Sequence, residues 1–239
     1  MLATLATAGA AVTLAAGGYA YAAMWPTSQI FGRAIIGGPD SNEFALTYDD
    51  GPNDPYTLQL LEILAKHDVC ATFFLIGRFV RQCPDIARAI HAAGHLVGNH
   101  TMTHPVLLFQ SPQRVRAELA DCNAAIEDAL GEQVRYFRPP HGARRPDVLH
   151  TAHHLGLTPV LWNAMGYDWK PTTAEQVVAN LQRGITRNRQ HGVGSNLLLH
   201  DGGQAGIGQN REHSVAATEK LLELLGRQVR FVTVDAWNK

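Results

Sequence analysis

The chain predicts an α/β fold, an irregular (β/α) barrel of about seven parallel strands. Two observations predict it. From Glu43 onward, short apolar, β-branched or aromatic runs alternate with longer helical patterns; strand and helix in strict succession imply right-handed crossovers and a parallel sheet. Reactive side chains recur just after the expected strands, where an α/β barrel gathers functional residues on one rim. A length of 239 residues with 46% hydrophobic and 17% charged residues fits one large catalytic domain.

The segment before the barrel is of another kind. No Asp, Glu, Lys or Arg occurs before Arg33, and residues 1–25 are rich in Ala, Leu, Val and Gly. At about 1.5 Å per residue such a helix is long enough to cross a bilayer core. Residues 1–25 read as a hydrophobic anchor or signal segment, 26–42 as a connector and 43–237 as the catalytic domain. The missing basic n-region favours an uncleaved anchor, whereas Ala20-Tyr21-Ala22 offers a cleavage site; an Ala-rich helix packed on the domain is the alternative. The expected location is membrane-anchored or exported, in the cell envelope, with membrane contact through this segment.

Strands are expected at 43–48, 71–75, 96–98, 136–138, 158–161, 196–200 and 229–234, and helices at 56–67, 84–93, 112–130, 146–155, 173–188 and 212–225. Ser111-Pro112 places a proline at a first helical position, and Thr173-Ala-Glu-Gln176 fits a capping box. Gly94 and Gly131 stand where helices should stop.

Charge and cysteine content exclude whole classes. The formal net charge is -1 and no Lys/Arg stripe is present, so nucleic acid is excluded as a partner. Cys70, Cys83 and Cys122 are widely spaced and odd in number, which argues against a disulfide framework or a CxxC metal site and leaves room for one disulfide in an exported domain.

Two adjacent carboxylates, Asp49-Asp50, end the first strand in Thr47-Tyr-Asp-Asp-Gly-Pro52. Such a pair is common on solvated turns, but at the end of a buried strand two like charges are costly without a cation. His100-Thr-Met-Thr-His104 follows the third strand, where one helical turn would set both imidazoles on the same side. Spacing alone is weak evidence, since chance gives roughly 0.6 such His pairs here. The other two, His91/His95 and His150/His154, read as surface or helix-face residues. Asp50, His100 and His104 together offer three ligands to a divalent ion and leave a position open for water, as a hydrolytic metal requires. Arg138, Asp168-Trp169 and His200 then fall after later strands on the same rim.

These motifs, in this order, resemble those of the polysaccharide deacetylases of the NodB-homology type, carbohydrate esterase family 4, over roughly residues 43–235. The resemblance implies that Asp49 is the catalytic base and that Asp50, His100 and His104 hold one divalent ion, usually Zn2+. The same donor set would accept Co2+, Ni2+ or Mn2+. In Arg138-Pro-Pro140-His141-Gly142, Arg138 would orient Asp49, while Pro140 and His141 would border the substrate. Asp168 would tune His200, the general acid of Leu198-Leu-His200-Asp-Gly202, and Trp169 with Leu198 would wall the acyl-methyl pocket. The main-chain N–H of His141 would face the oxyanion.

Two positions depart from the family pattern. Met165 stands where an Asp is common, and His141 where an aromatic is usual; both border the cleft and so bear on substrate identity. The implied reaction is hydrolytic removal of N-acetyl groups from amino sugars of an N-acetylated glycan, polymeric or lipid-linked. Removal of formyl or O-acetyl groups, and a catalytically silent glycan-binding barrel, are the alternatives.

Overall fold

In the computed structural model, residues 16–238 are described. Seven parallel strands curl into a half-barrel in the order β5-β4-β3-β2-β1-β7-β6, with β8 pairing the start of β1. The strands are β1 Glu43–Gly51, β2 Thr72–Leu75, β3 Leu96–Asn99, β4 Tyr136–Phe137, β5 Thr158–Pro159, β6 Ala164–Met165, β7 Ser195–His200 and β8 Arg230–Phe231. The helices are α1 over the described residues 16–24, then α2 Tyr56–Lys66, α3 Gly77–Gln82, α4 Pro84–Ala92, α5 Pro112–Leu130, α6 Pro146–His154, α7 Ala174–Gln190 and α8 Glu212–Leu225. The expected fold class is what the chain adopts.

β1 is the axis of the sheet, buried along its whole length and flanked by β2 and β7. Its side chains alternate with period two. Phe44, Leu46 and Tyr48 join the large core beneath the helices, whereas Ala45 joins Phe74, Tyr136, Val160, Val234 and Trp237 in the smaller core inside the curl. Thr47 and Asp49 share that inward parity. An acid at the mouth of β1 is therefore carried on a strand fixed on both sides.

The helix signals hold at atomic detail. Ser111 accepts a hydrogen bond from the Arg114 N–H at the start of α5, and Gly131 ends that helix with φ 75°. Thr173 and Gln176 form the reciprocal capping box of α7.

Four elements differ most from expectation. α3 follows β2 directly where no helix is expected, because its six residues are too few to show a period. β6 is a two-residue strand on Met165, paired to β7 through Ala164–Leu197 and Met165–Leu198. The expected strands at 158–161 and 229–234 shorten to two residues each. Val160 continues the first as a lone bridge to Ile35 of the connector, and the second turns into a 3-10 helix at Val234–Trp237.

Most of the expected anchor, residues 1–15, lies outside the described residues. No described helix is long and apolar enough to cross a membrane. Ala22 and Ala23 are buried against the domain. Arg144, itself buried, ties this segment down: its guanidinium donates to the carbonyl oxygens of Trp25 at 2.8 Å and Ser28 at 2.7 Å. All three cysteines are free.

Candidate active site

Adjacent residues of a regular strand face opposite ways, so Asp49 and Asp50 need a device to share one site. The β1–β2 ladder supplies it. Asp49 pairs with Phe74 and Gly51 with Leu75, leaving Asp50 as an extra residue in a bulge with φ 75°. Both carboxylates then lie beside His100 Nε2, Asp50 Oδ1 at 3.4 Å and Asp49 Oδ2 at 3.8 Å. Gly202 packs behind the bulge, where a Cβ would stand 2.2 Å from the Asp50 carbonyl oxygen.

His100 and His104 do not sit on the expected helical turn. They lie in an irregular loop with Thr101 and His104 at φ 67° and 62°. Side chains fasten it: Asn99 Oδ1 accepts the Thr101 N–H at 2.7 Å, and Thr101 Oγ1 accepts the His104 N–H at 2.9 Å. Buried Glu118 of α5 accepts the Thr103 N–H at 2.7 Å and its hydroxyl at 2.6 Å.

Each imidazole has its tautomer fixed. The Nδ1–H of His100 donates to the Arg138 carbonyl oxygen at 2.8 Å, and that of His104 to Gln204 Oε1 at 3.0 Å. Both Nε2 lone pairs are left facing Asp50 Oδ1, at 3.4 and 3.1 Å, a buried oxygen to which nothing donates a hydrogen bond. Three acceptor atoms converge within 4.8 Å of one another. Lone pairs gathered without a proton between them are stable around a cation, and one carboxylate oxygen with two imidazole nitrogens suits zinc and its neighbours. The residues fit the ion. Without an ion, a proton on Nε2 takes the cation's place: burial alone would raise Asp50, but His100 and His104, when they carry that proton, hold it well below the usual carboxylate range. Burial alone would lower His104, and the Asp50 carboxylate outweighs it and raises the imidazole.

Arg138, wholly buried, fixes Asp49. Its Nη1 donates to Asp49 Oδ1 at 2.8 Å and Thr47 Oγ1 at 2.9 Å, and its guanidinium lies 4.2 Å over the Phe74 ring. Desolvation lowers its pKa despite Asp49, so the buried cation depends on this pairing, with the Thr47 hydroxyl and the Leu161 carbonyl as further acceptors. On the other side of the rim, Asp168 Oδ1 accepts the His200 Nδ1–H at 2.8 Å, while Oδ2 accepts the His200 N–H at 2.7 Å and the Ser214 hydroxyl at 2.6 Å. His200 Nε2 remains for chemistry. Burial would lower His200, but Asp168 overrides it and raises the imidazole to about 9.

Trp169 is exposed and meets the His200 ring edge-on at 5.2 Å. Leu198 is buried with Leu161 and Trp162, against Met165. Pro140 is buried, and His141, at φ 58°, sets its ring 4.8 Å from that of His104. Of six described non-glycine residues with positive φ, five are Asp50, Thr101, His104, His141 and Tyr167. Such strain persists where surrounding structure over-determines it.

The sequence reading missed Glu118, Gln204 and Ser214, which lie far along the chain and carry no local signal. Thr47 was within reach, two residues before Asp49 on the same strand face. His91 and His154 are surface residues as expected, and His150 lies 2.8 Å from His154, Nε2 to Nε2, on exposed α6. His95 is not: it is buried, and its Nδ1 accepts the Ala71 N–H at 3.2 Å.

Residues 37–160 match the family model described as polysaccharide deacetylase. The chain is 36% identical over 174 residues to a chitooligosaccharide deacetylase of Azorhizobium caulinodans, covering 72% of this chain and 80% of the relative. Among solved structures, the Bc1960 peptidoglycan N-acetylglucosamine deacetylase superposes with a TM-score of 0.77 at 30% identity, covering 85% of this chain and 91% of that one. A CE4 family pseudoenzyme from Bacillus anthracis superposes with a TM-score of 0.76 at 29% identity, covering 87% and 69%. By sequence match and by superposition alike, the chain belongs to the polysaccharide deacetylase family.

Proposed function

We propose that this protein is a metal-dependent hydrolase that removes N-acetyl groups from the amino sugars of a glycan. The observation that carries the reading is the double commitment of Nδ1 in His100 and His104, which turns two lone pairs onto an Asp50 oxygen without a donor. A divalent ion held by Asp50, His100 and His104, zinc by preference, would lower the pKa of water and polarise the acyl oxygen.

The chain's own groups supply the rest. Asp49, oriented by the Arg138 hydrogen bond, takes a proton from the attacking water. The His141 main-chain N–H faces the oxygen on which negative charge develops. His200 gives its Nε2 proton to the departing nitrogen as the C–N bond breaks, and Asp168 stabilises the imidazolium until then. Acetate and a free amine result. Leu198 and Trp169 border a small acyl group, and Trp169 is free to stack on a sugar face.

Acetate release from N-acetylated chitooligosaccharides and peptidoglycan strands, before and after chelation and with zinc restored, is the test. Zinc-dependent acetate and free amine are expected. Formate release, or ester cleavage without amine, would move the reading to another acyl group; no turnover by zinc-loaded protein on any acylated glycan would leave a silent barrel. The pseudoenzyme neighbour makes turnover the deciding measurement. We also read residues 1–25 as an export or anchoring segment that places the domain in the cell envelope. Fractionation of cells expressing the full chain and a form lacking residues 1–15 tests this, and equal partition of both into the soluble fraction would refute it.

A further inference from the structure

A cavity of about 670 Å³ holds none of the proposed catalytic groups, yet it shares a wall with the site. Trp162, Met165 and Tyr167 line it. Trp162 and Met165 pack with Leu198, and Tyr167 precedes Asp168 and meets the Trp169 ring at 5.4 Å. Trp25, at the end of the N-terminal segment, lines it too, as do Arg183 and Arg187 of α7.

Those arginines stand four residues apart on one helix, a like-charge spacing that is destabilising by itself. Among the described residues, neither has a carboxylate within ion-pair distance. Each is anchored by an uncharged oxygen, Arg183 by the Asn180 side chain and Arg187 by the Asn163 carbonyl. A guanidinium has five N–H donors, so both keep donors for an incoming oxyanion. Tryptophan walls suit sugar rings, and a pair of forked cations suits a carboxylate.

We propose that this cavity is a subsite for an acidic sugar, so that the glycan acted on carries carboxylates along its chain. The inference rests on the proposed deacetylation and refines its substrate. A glycan running from the acyl pocket past Tyr167 enters the cavity, and its carboxylate neutralises the Arg183–Arg187 pair. Met165, in place of the family's usual Asp, removes a negative charge from the shared wall and so lets an acidic chain pass.

Equilibrium binding to the zinc-loaded protein tests this with two tetrasaccharides: neutral chitotetraose, and a peptide-free peptidoglycan fragment bearing lactyl carboxylates. The acidic glycan should bind about tenfold more tightly at low salt, the scale of one good charge-assisted contact. The gap should close near 0.5 M salt, where the screening length falls to about 4 Å. R183Q/R187Q should abolish the gap while chitotetraose binding and turnover stay unchanged. Equal affinities, or a gap that survives R183Q/R187Q, would overturn the subsite. Because binding is read directly, absence of acetate from both glycans would count against the reaction and leave this result standing.

Discussion

Asp49 and His200 are Cα partners on one rung of the parallel β1–β7 ladder. The proposed base and the proposed acid are thus held at a fixed separation by main-chain hydrogen bonds, each with its own positioning group: Arg138 on Asp49, Asp168 on His200. In the proposed reaction, proton uptake and proton delivery would then come from two neighbouring strand ends.

His200→Ala should keep its metal and lose about 10²–10⁴ in kcat, the scale of a general acid. His104→Ala should lose metal as well as activity, because it removes one of three ligands. Metal content by elemental analysis beside acetate release separates the two; equal metal loss in both variants would contradict the assignment.

Asp168→Asn should move the alkaline limb of kcat/KM to lower pH. Asp168 raises His200 to about 9, and the acid must be protonated, so activity falls as pH rises through that value, or lower once a bound cation repels the proton. Without the carboxylate the limb should approach the ordinary histidine range near about 6.5. The same shift implies that metal-free protein is fully stabilised by this pair below about 6.5 and loses that contribution as pH rises through about 9. Thermal melting across this window should show the loss in the parent and not in Asp168→Asn.

Arg138→Met should destabilise the fold by about 3–5 kcal/mol, because Asp49 is then a buried charge without its partner. Adding Asp49→Asn should recover much of that stability in urea unfolding but no activity. A double variant as unstable as the single one would mean that Arg138 acts through packing on Phe74 and not through the ion pair.

Gln204→Leu should weaken zinc binding about 10–100-fold, the usual effect of removing the partner of a ligating imidazole. Asp50 raises His104, and a protonated imidazole cannot ligate, so affinity should fall as pH drops through that raised value. Competition with a chromogenic chelator reads both effects. Unchanged affinity in Gln204→Leu would show that the Asn99–Thr101 loop alone orients His104.

The reactive residues were legible because each sits in a compact local pattern. Asp49-Asp50 stands at a strand end, His100 and His104 lie four apart after an apolar run, and His200 closes a buried strand. Their mutual approach followed from strand–helix alternation, which sends every strand end to the same rim. The bulge at Asp50 was not legible, since it exists only as a mismatch between β1 and β2. Nor was the left-handed turn at Thr101 and His104, where the expected helical turn is replaced by side-chain hydrogen bonds.

By itself the amino-acid order determined which groups can grip a cation and which can carry protons, because those are properties of residue type and of position relative to a strand end. Only the tertiary structure decided how they are held. Gln204, Ser214 and Glu118 reach the site across separations of 100, 46 and 15 residues from the groups they contact, and Trp25 meets Arg183 and Arg187 in one cavity wall across a longer stretch still. Hydrogen bonds and cavities of this kind depend on the packing of whole elements, and no local spacing along the chain encodes them.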